Sequence, residues 1–173
     1  MQQLTTIYTL DNTNYRGNVT DYMALLAIKS KLIDRSPNNN GVMRSWNHSL
    51  HHCYWEGVVC GPIHNNKVTE LQLPAKGLGG SISPFIGNLS FLRLIRFSNN
   101  SLQGQIPPQI GRLFRLQSLY LNNNSLSGEF PANISSCINL QNLSVAINNL
   151  HGELPMGLGA LSNLKYMGNF RWN

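Results

Sequence analysis

The chain repeats itself at a fixed interval. Leu71, Ile95, Leu119, Leu143 and Met167 stand 24 residues apart in succession, and Leu73, Phe97, Leu121 and Val145 follow at the same step. Asn100, Asn124 and Asn148 make a further column, then Leu78, Leu102, Leu126 and Leu150, then Gly80, Gly104, Gly128 and Gly152. Ile82, Ile106, Phe130 and Leu154 follow, then Pro107, Pro131 and Pro155, then Ile86, Ile110, Ile134 and Leu158 with Leu89, Leu113 and Leu161 behind them. So many columns in register specify a solenoid of stacked coils. One coil cannot bury its own leucines; neighbours cover one another, and stability accumulates through nearest-neighbour interfaces.

Within a coil, the alternation Gln117, Ser118, Leu119, Tyr120, Leu121 sends Leu119 and Leu121 inward and Ser118 and Tyr120 outward, a period of two that predicts a short strand. Stacking would align these strands as a parallel sheet on one face. The asparagine column falls where the chain turns inward after the strand, where an amide can both donate to and accept from turn backbones above and below. Asn100, Asn124 and Asn148 are therefore expected to be structural. The glycine column permits a positive φ at a second turn, and the Ile-Pro or Phe-Pro pair after it suggests a second short extended segment. In the first coil Ser83 replaces the proline and Lys76 the asparagine, as befits a coil abutting a cap.

Residues 1–19 show no hydrophobic period and read as a poorly ordered extension. From Asp21 a helical spacing begins with Ala24, Leu25, Ile28, Leu32 and Ile33, capped by Thr20 or Asp21, and Pro37 to Gly41 should end it as a loop. The aromatic and β-branched stretch Cys53–Cys60 reads as a hairpin or strand over one end of the core. These features divide the chain into the extension 1–19, a cap 20–66, four repeats 67–162 and an incomplete repeat 163–173. In that last piece Leu161, Leu164 and Met167 are expected to form an uncovered end, a surface for self-association.

Charge excludes some functions. Charged residues are 12% of the chain and the net charge of +6 is scattered; a nucleic-acid footprint needs clustered Lys and Arg. No apolar run is long enough to span a membrane, and Met1 to Leu10 lacks a basic region and an apolar run of signal-peptide length. A close cysteine pair with Asn-x-Ser/Thr sequons at Asn18, Asn47, Asn88, Asn99, Asn123, Asn133 and Asn142 nonetheless suggests an oxidising compartment. His48, His51, His52, His64, Cys53 and Cys60 are the one group suggesting a metal. The spacing of the two cysteines and the missing second pair fit zinc poorly, so no cofactor or metal is expected, and the histidines should be solvent-exposed. Gly77, Gly79 and Gly80 lack the Lys-Ser/Thr of a phosphate loop, and no kinase catalytic loop occurs.

The coil from Leu119 through Asn124, Leu126, Gly128 and Pro131 to Ile134 resembles the plant-type leucine-rich repeat. Asp21, Ala24, Leu25, Leu26 and Lys29, with Trp46, Asn47 and the stretch Cys53, Tyr54, Trp55, Glu56, Gly57, Val58, Val59, Cys60, resemble the N-terminal cap of plant receptor-like kinase ectodomains. The resemblance covers residues 20–162, and the repeats are most similar to the pattern-recognition receptors of that family. It implies an α/β-type solenoid with a parallel sheet on the concave face and a right-handed superhelix. It also implies a Cys53–Cys60 disulfide, Trp46 and Trp55 packing the cap onto the first repeat, and location in the apoplast or on the outer face of the plasma membrane. Cys137 is expected to be a buried free thiol. Relatives carry further repeats, a C-terminal cap, a membrane span and a kinase domain, so the chain is expected to be a fragment. The other reading is a stand-alone secreted protein resembling inhibitors of wall-degrading polygalacturonases.

Ligands of this fold class commonly meet the outward strand positions: Glu70, Gln72, Arg96, Ser98, Ser118, Tyr120, Asn122, Asn142, Ser144 and Ala146. Arg96 and Tyr120 are the anchors that chemistry favours. The resemblance implies a peptide or protein ligand and a co-receptor as partners. Asn99, Asn123 and Asn142 are sequons on or near this face.

Overall fold

The computed structural model describes residues 19–36, 41–64 and 66–168, without the His64 side chain. The extension up to residue 18, the Asn18 sequon, most of the Pro37–Gly41 loop and residues 169–173 lie outside them.

Helix α1 (Val19–Lys29) opens the cap and is followed by strand β1 (Leu32–Asp34). β2 (Val58–Gly61) closes the cap; β3 (Lys67–Gln72) and β4 (Leu78–Gly80) belong to the first coil. Later coils add β5 (Leu94–Arg96), β6 (Gln103–Gly104), β7 (Ser118–Tyr120), β8 (Ser125–Glu129), β9 (Asn142–Ser144), β10 (Asn149–His151) and β11 (Tyr166–Met167). The main sheet runs β11-β9-β7-β5-β3-β2, parallel except for the antiparallel β2, and a second sheet runs β10-β8-β6. In the main sheet Leu71 sits beside Ile95, Ile95 beside Leu119 and Leu119 beside Leu143. The 24-residue step is thus the sheet register itself, and these four residues are fully buried.

The side opposite the main sheet completes the α/β-type solenoid with short helices. It is built of 3-10 helices, Pro84–Asn88, Pro108–Arg112, Ala132–Ser136 and Met156–Ala160. Each has five residues, too few for an α-helix to nucleate. They stack so closely that a Cβ on Gly87 would lie 2.5 Å from the Gln109 carbonyl oxygen, and one on Gly111 2.4 Å from that of Asn133. The column prolines stand just before these helices, Pro107, Pro131 and Pro155 serving as their N-caps, rather than inside an extended segment. In the first coil the Ser83 hydroxyl replaces that proline and accepts from the Phe85 N–H.

The asparagine column carries the turn hydrogen bonds. Asn124 accepts from the Leu102 N–H at 3.0 Å and donates to the carbonyls of Phe97 and Leu121 at 3.0 Å. Asn100 accepts from Lys76 and Leu78 and donates to Leu73 and Phe97; Asn148 accepts from Leu126 and donates to Leu121 and Val145. Every one of these partners lies in the same coil or the preceding one, so each amide binds backward rather than above and below. Lys76, standing where the next coil has Asn100, points its ammonium to Glu56 at 2.6 Å.

A second ladder runs along the opposite flank, where the chain enters each strand. Arg115 donates to the Ser90 carbonyl, Asn139 to that of Phe114 at 2.7 Å and Asn163 to that of Ile138 at 2.9 Å.

The cap closes the first coil. Tyr22, Ala24, Leu25 and Ile28 bury one face of α1, which packs on the 3-10 helix Pro84–Asn88. Asp21 does not cap the helix; it is buried, accepts from the Val68 N–H at 2.8 Å and pairs with Lys67. Leu32 and Ile33 do not extend α1 either. They pair antiparallel with Gly80 and Gly79 in β4, and Ile33 is exposed. A Cβ at Gly80, φ +83°, would come 2.1 Å from the Lys31 carbonyl oxygen, so this contact requires glycine. The Asp34 carboxyl is lowered from its ordinary value: burial acts to raise it, but hydrogen bonds from Met43 and Ser36 outweigh that.

Trp46 and Trp55 are buried and stacked, with ring centroids 5.3 Å apart. Trp46 donates its indole N–H to Glu56 and Trp55 to Asn47 and Leu50. Cys53 and Cys60 are bridged beside them. Cys137 is free and buried, its thiol pushed up to about 12 by burial. At the far end Leu161 is buried and Leu164 partly buried, leaving Met167 as the exposed member of that expected trio. Leu161 is held by the 3-10 helix before it, its N–H donating to Leu158.

His52 overturns the expectation of solvent-exposed histidines. It is fully buried, stacked on His51 at 4.3 Å and edge-on to Trp55, and neither ring nitrogen meets a well-aligned hydrogen-bond partner among the described residues. Burial, with the like charge of His51 second, lowers its pKa to about 4.

Asn124→Ala strands the Leu102 N–H and two carbonyls and should cost about 1–3 kcal/mol in urea unfolding. Asn139→Ala, on an exposed flank where Phe114 can return to water, should cost less than about 1 kcal/mol. Replacing Cys53 and Cys60 together by serine should cost roughly 2–3 kcal/mol of loop entropy, with hydrogen exchange rising first across Trp46–Cys60. For His52 the unfolded state binds its proton more readily, so stability is intact above pH 6.5 and falls as pH drops towards 4, by about 3 kcal/mol in all. His52→Phe should flatten a plot of unfolding free energy against pH in that window; an unchanged slope would place the titration elsewhere.

Candidate ligand-binding face

The main sheet sets its outward side chains in two columns. Glu70 lies beside Leu94, then Ser118, Asn142 and Tyr166; Gln72 lies beside Arg96, then Tyr120 and Ser144. A third row, Ser98, Asn122 and Ala146, follows the strands. Seven of the ten expected contact positions therefore lie in register across the strands, and Ser98, Asn122 and Ala146 make up the third row beyond them.

Two of them are buried. Ser144 and Ser98 are 9% and 8% accessible. The backbone after β11 covers the first, for a Cβ on Gly168 would stand 2.8 Å from the Ser144 hydroxyl. Ser98 donates to the Asn122 amide oxygen at 2.8 Å and sits inside the turn. Both contribute floor rather than contacts.

What stays accessible is chemically mixed. The Arg96 guanidinium lies over the Tyr120 ring, 5.0 Å from its centroid, a solvent-accessible cation–π pair that orders both side chains. The Gln72 amide donates to the Glu70 carboxylate, and Asn142 donates to the Ser118 hydroxyl at 3.0 Å. The same column holds Leu94 and the exposed Tyr166. Neither figured among the expected contacts, although the 24-residue step from Glu70 reaches both. The arrangement offers hydrogen-bond donors, one cation, one anion and aromatic surface; it has no nucleophile paired with a base.

The sequons are spread. Asn133 is exposed on its 3-10 helix; Asn99 and Asn123 are exposed at turn positions of positive φ, the amide of Asn123 donating to Asn99. Asn47 and Asn88 are half-buried, and Asn142 lies within the sheet face.

His51, His52 and Cys53 bring potential metal-ligating atoms within 4.8 Å of one another, but the chemistry does not converge. Cys53 is in the disulfide, and the His51 Nδ1 lone pair already accepts from the Cys53 N–H.

Residues 19–61 match the family described as Leucine rich repeat N-terminal domain, and residues 91–113 and 115–137 each match Leucine Rich Repeat. The LRR receptor-like serine/threonine-protein kinase EFR of Arabidopsis thaliana is 47% identical over 85 residues, 49% of this chain and 8% of that protein. The chain thus aligns with a small part of the curated relatives it matches. The crystal structure of the BIR3–SERK2 complex from Arabidopsis thaliana superposes with a TM-score of 0.72 at 32% identity, covering 85% of this chain and 79% of that one. The Arabidopsis receptor kinase HAESA, in complex with the peptide hormone IDA and the co-receptor SERK1, gives a TM-score of 0.73 at 27% identity over 84% of this chain and 24% of the other. The chain belongs to the leucine-rich-repeat family and carries the N-terminal domain and repeats found in the ectodomains of plant receptor-like kinases.

Proposed function

We propose that this chain is the ligand-recognition part of a plant receptor-kinase ectodomain, working outside the cell, and that a peptide or protein ligand lies across the main sheet with Arg96 and Tyr120 as its anchors. The stacked Arg96–Tyr120 pair carries the reading, because it is preordered, accessible and central to the two outward columns. Preordered aromatic and arginine side chains lose little entropy on binding and dominate interface energetics. Glu70 and Gln72 on one side and Tyr166 on the other supply polar and aromatic contacts along the strand-to-strand direction. The disulfide supports an oxidising compartment. The neighbour HAESA is seen with a peptide hormone and a co-receptor, and the same two partner classes suit this face. Recognition rather than phosphoryl transfer is its role, since the matched residues are cap and repeat.

The test is a panel of synthetic secreted plant peptides on the glycosylated chain. A bound peptide should lose roughly 30-fold in affinity, about 2 kcal/mol, with Tyr120→Ala and be indifferent to Arg44→Ala on the cap. Binding that ignores both Tyr120→Ala and Arg96→Ala would falsify the assignment.

A further inference from the structure

We propose that the flank where the chain enters each strand is a second docking surface, and that it takes a protein partner presenting an acidic segment with apolar side chains. It does not depend on the face described above. Arg115 packs against two phenylalanine rings, 4.3 Å from the Phe91 centroid and 4.6 Å from that of Phe114. One of its N–H groups donates to the Ser90 carbonyl, and the guanidinium has five N–H donors in all, so others remain to meet a carboxylate. Arg93, two residues beyond Phe91, is exposed. Among the described residues the ion pairs are Lys67–Asp21 and Lys76–Glu56, so neither arginine is neutralised by a carboxylate.

Apolar surface stands next to Arg115, which rests on the Phe114 ring. Phe114 and Ile138 occupy the same position in successive coils and are 45% and 61% exposed. They are not loosely held: their carbonyls are gripped by Asn139 and Asn163, and the Ser90 carbonyl by Arg115. A rigid platform bearing exposed aromatic and aliphatic side chains beside unpaired arginines has the composition of an interface hot spot. The charges select an anionic partner. An acidic polysaccharide would engage the arginines and leave Phe114 and Ile138 in water, whereas an acidic peptide with apolar residues uses both.

The probe is a synthetic peptide alternating aspartate with leucine, titrated against the full glycosylated chain by fluorescence anisotropy. Its neutral asparagine–leucine counterpart and polygalacturonate are the controls. Saturable binding of the acidic peptide is expected, weakening as salt rises and falling at least tenfold in both Arg93→Gln/Arg115→Gln and Phe114→Ser/Ile138→Ser. Tyr120→Ala should leave it unchanged, which separates this surface from the sheet face. Circular dichroism checks each fold. Should a double variant not fold, Arg93→Gln alone alters an exposed side chain and must still weaken binding. No saturable binding, or binding indifferent to these substitutions, overturns the proposal. Equal affinity for polygalacturonate that ignores Phe114→Ser/Ile138→Ser overturns it too, by making the partner a polymer.

Discussion

Every coil of this solenoid must turn twice inside a packed stack, and each turn would bury backbone N–H and carbonyl groups that water cannot reach. That demand for internal partners governs the architecture. Leucines supply the driving force for stacking, but they could stack in many offsets. The asparagine column removes the freedom, because the amide of Asn124 reaches the Leu102 N–H and the Phe97 carbonyl only at one register. A slip of one residue would leave the amide and its partners unsatisfied together, at a cost comparable to much of a domain's net stability. Since each amide binds backward, a coil is completed by its successor: the first coil owes its turn bonds to Asn100 in the second.

The same logic explains the cap. The first coil has a successor but no predecessor, so its outer side needs cover of a different kind. Asp21 meets the Val68 N–H that a preceding strand would otherwise have met, β2 adds an antiparallel strand to the open sheet edge, and β1 does so for β4. Capping a parallel sheet with antiparallel strands avoids an exposed template for pairing with other chains. The stacked tryptophans then fill the volume under α1 with side chains whose N–H groups all find carbonyls. His52 is the exception, a polar ring packed in the same aromatic cluster whose nitrogens meet no well-aligned hydrogen-bond partner among the described residues.

Much of this was legible in the residues because a solenoid writes its three-dimensional neighbours into one period. The inward leucines, the asparagine ladder, the buried Cys137 and the outward columns all follow from a 24-residue step. What escaped lies where the period is absent or the residue type changes along a column. The cap has no repeat, so nothing signalled that His52 is buried, that Asp21 reaches Val68 or that Leu32 and Ile33 leave the helix. The flank ladder uses Arg115, then Asn139, then Asn163; its donors share a position, not an identity, and only the carbonyl geometry reveals it. Ser98 and Ser144 are outward by alternation yet buried, because exposure of a small side chain depends on what its neighbours place over it. Leu94 and Tyr166 show the converse failure: the step reaches them, but chemistry-led selection of polar contacts passes over a leucine.

The two ladders also divide the molecular surface. On the asparagine side the amides point inward and their neighbours Asn99 and Asn123 hold each other, while the next coil sets the exposed Ile147 at the same turn position. On the opposite side the ladder is made by surface side chains reaching back one coil, and the positions whose carbonyls they hold project phenylalanine and isoleucine into solvent. A stack that satisfies its backbone from within can leave such side chains exposed without loosening the fold, since none of them carries the core. That separation of supporting residues from displayed ones is what lets one repetitive frame present different surfaces on its sheet, its flanks and its 3-10 helices.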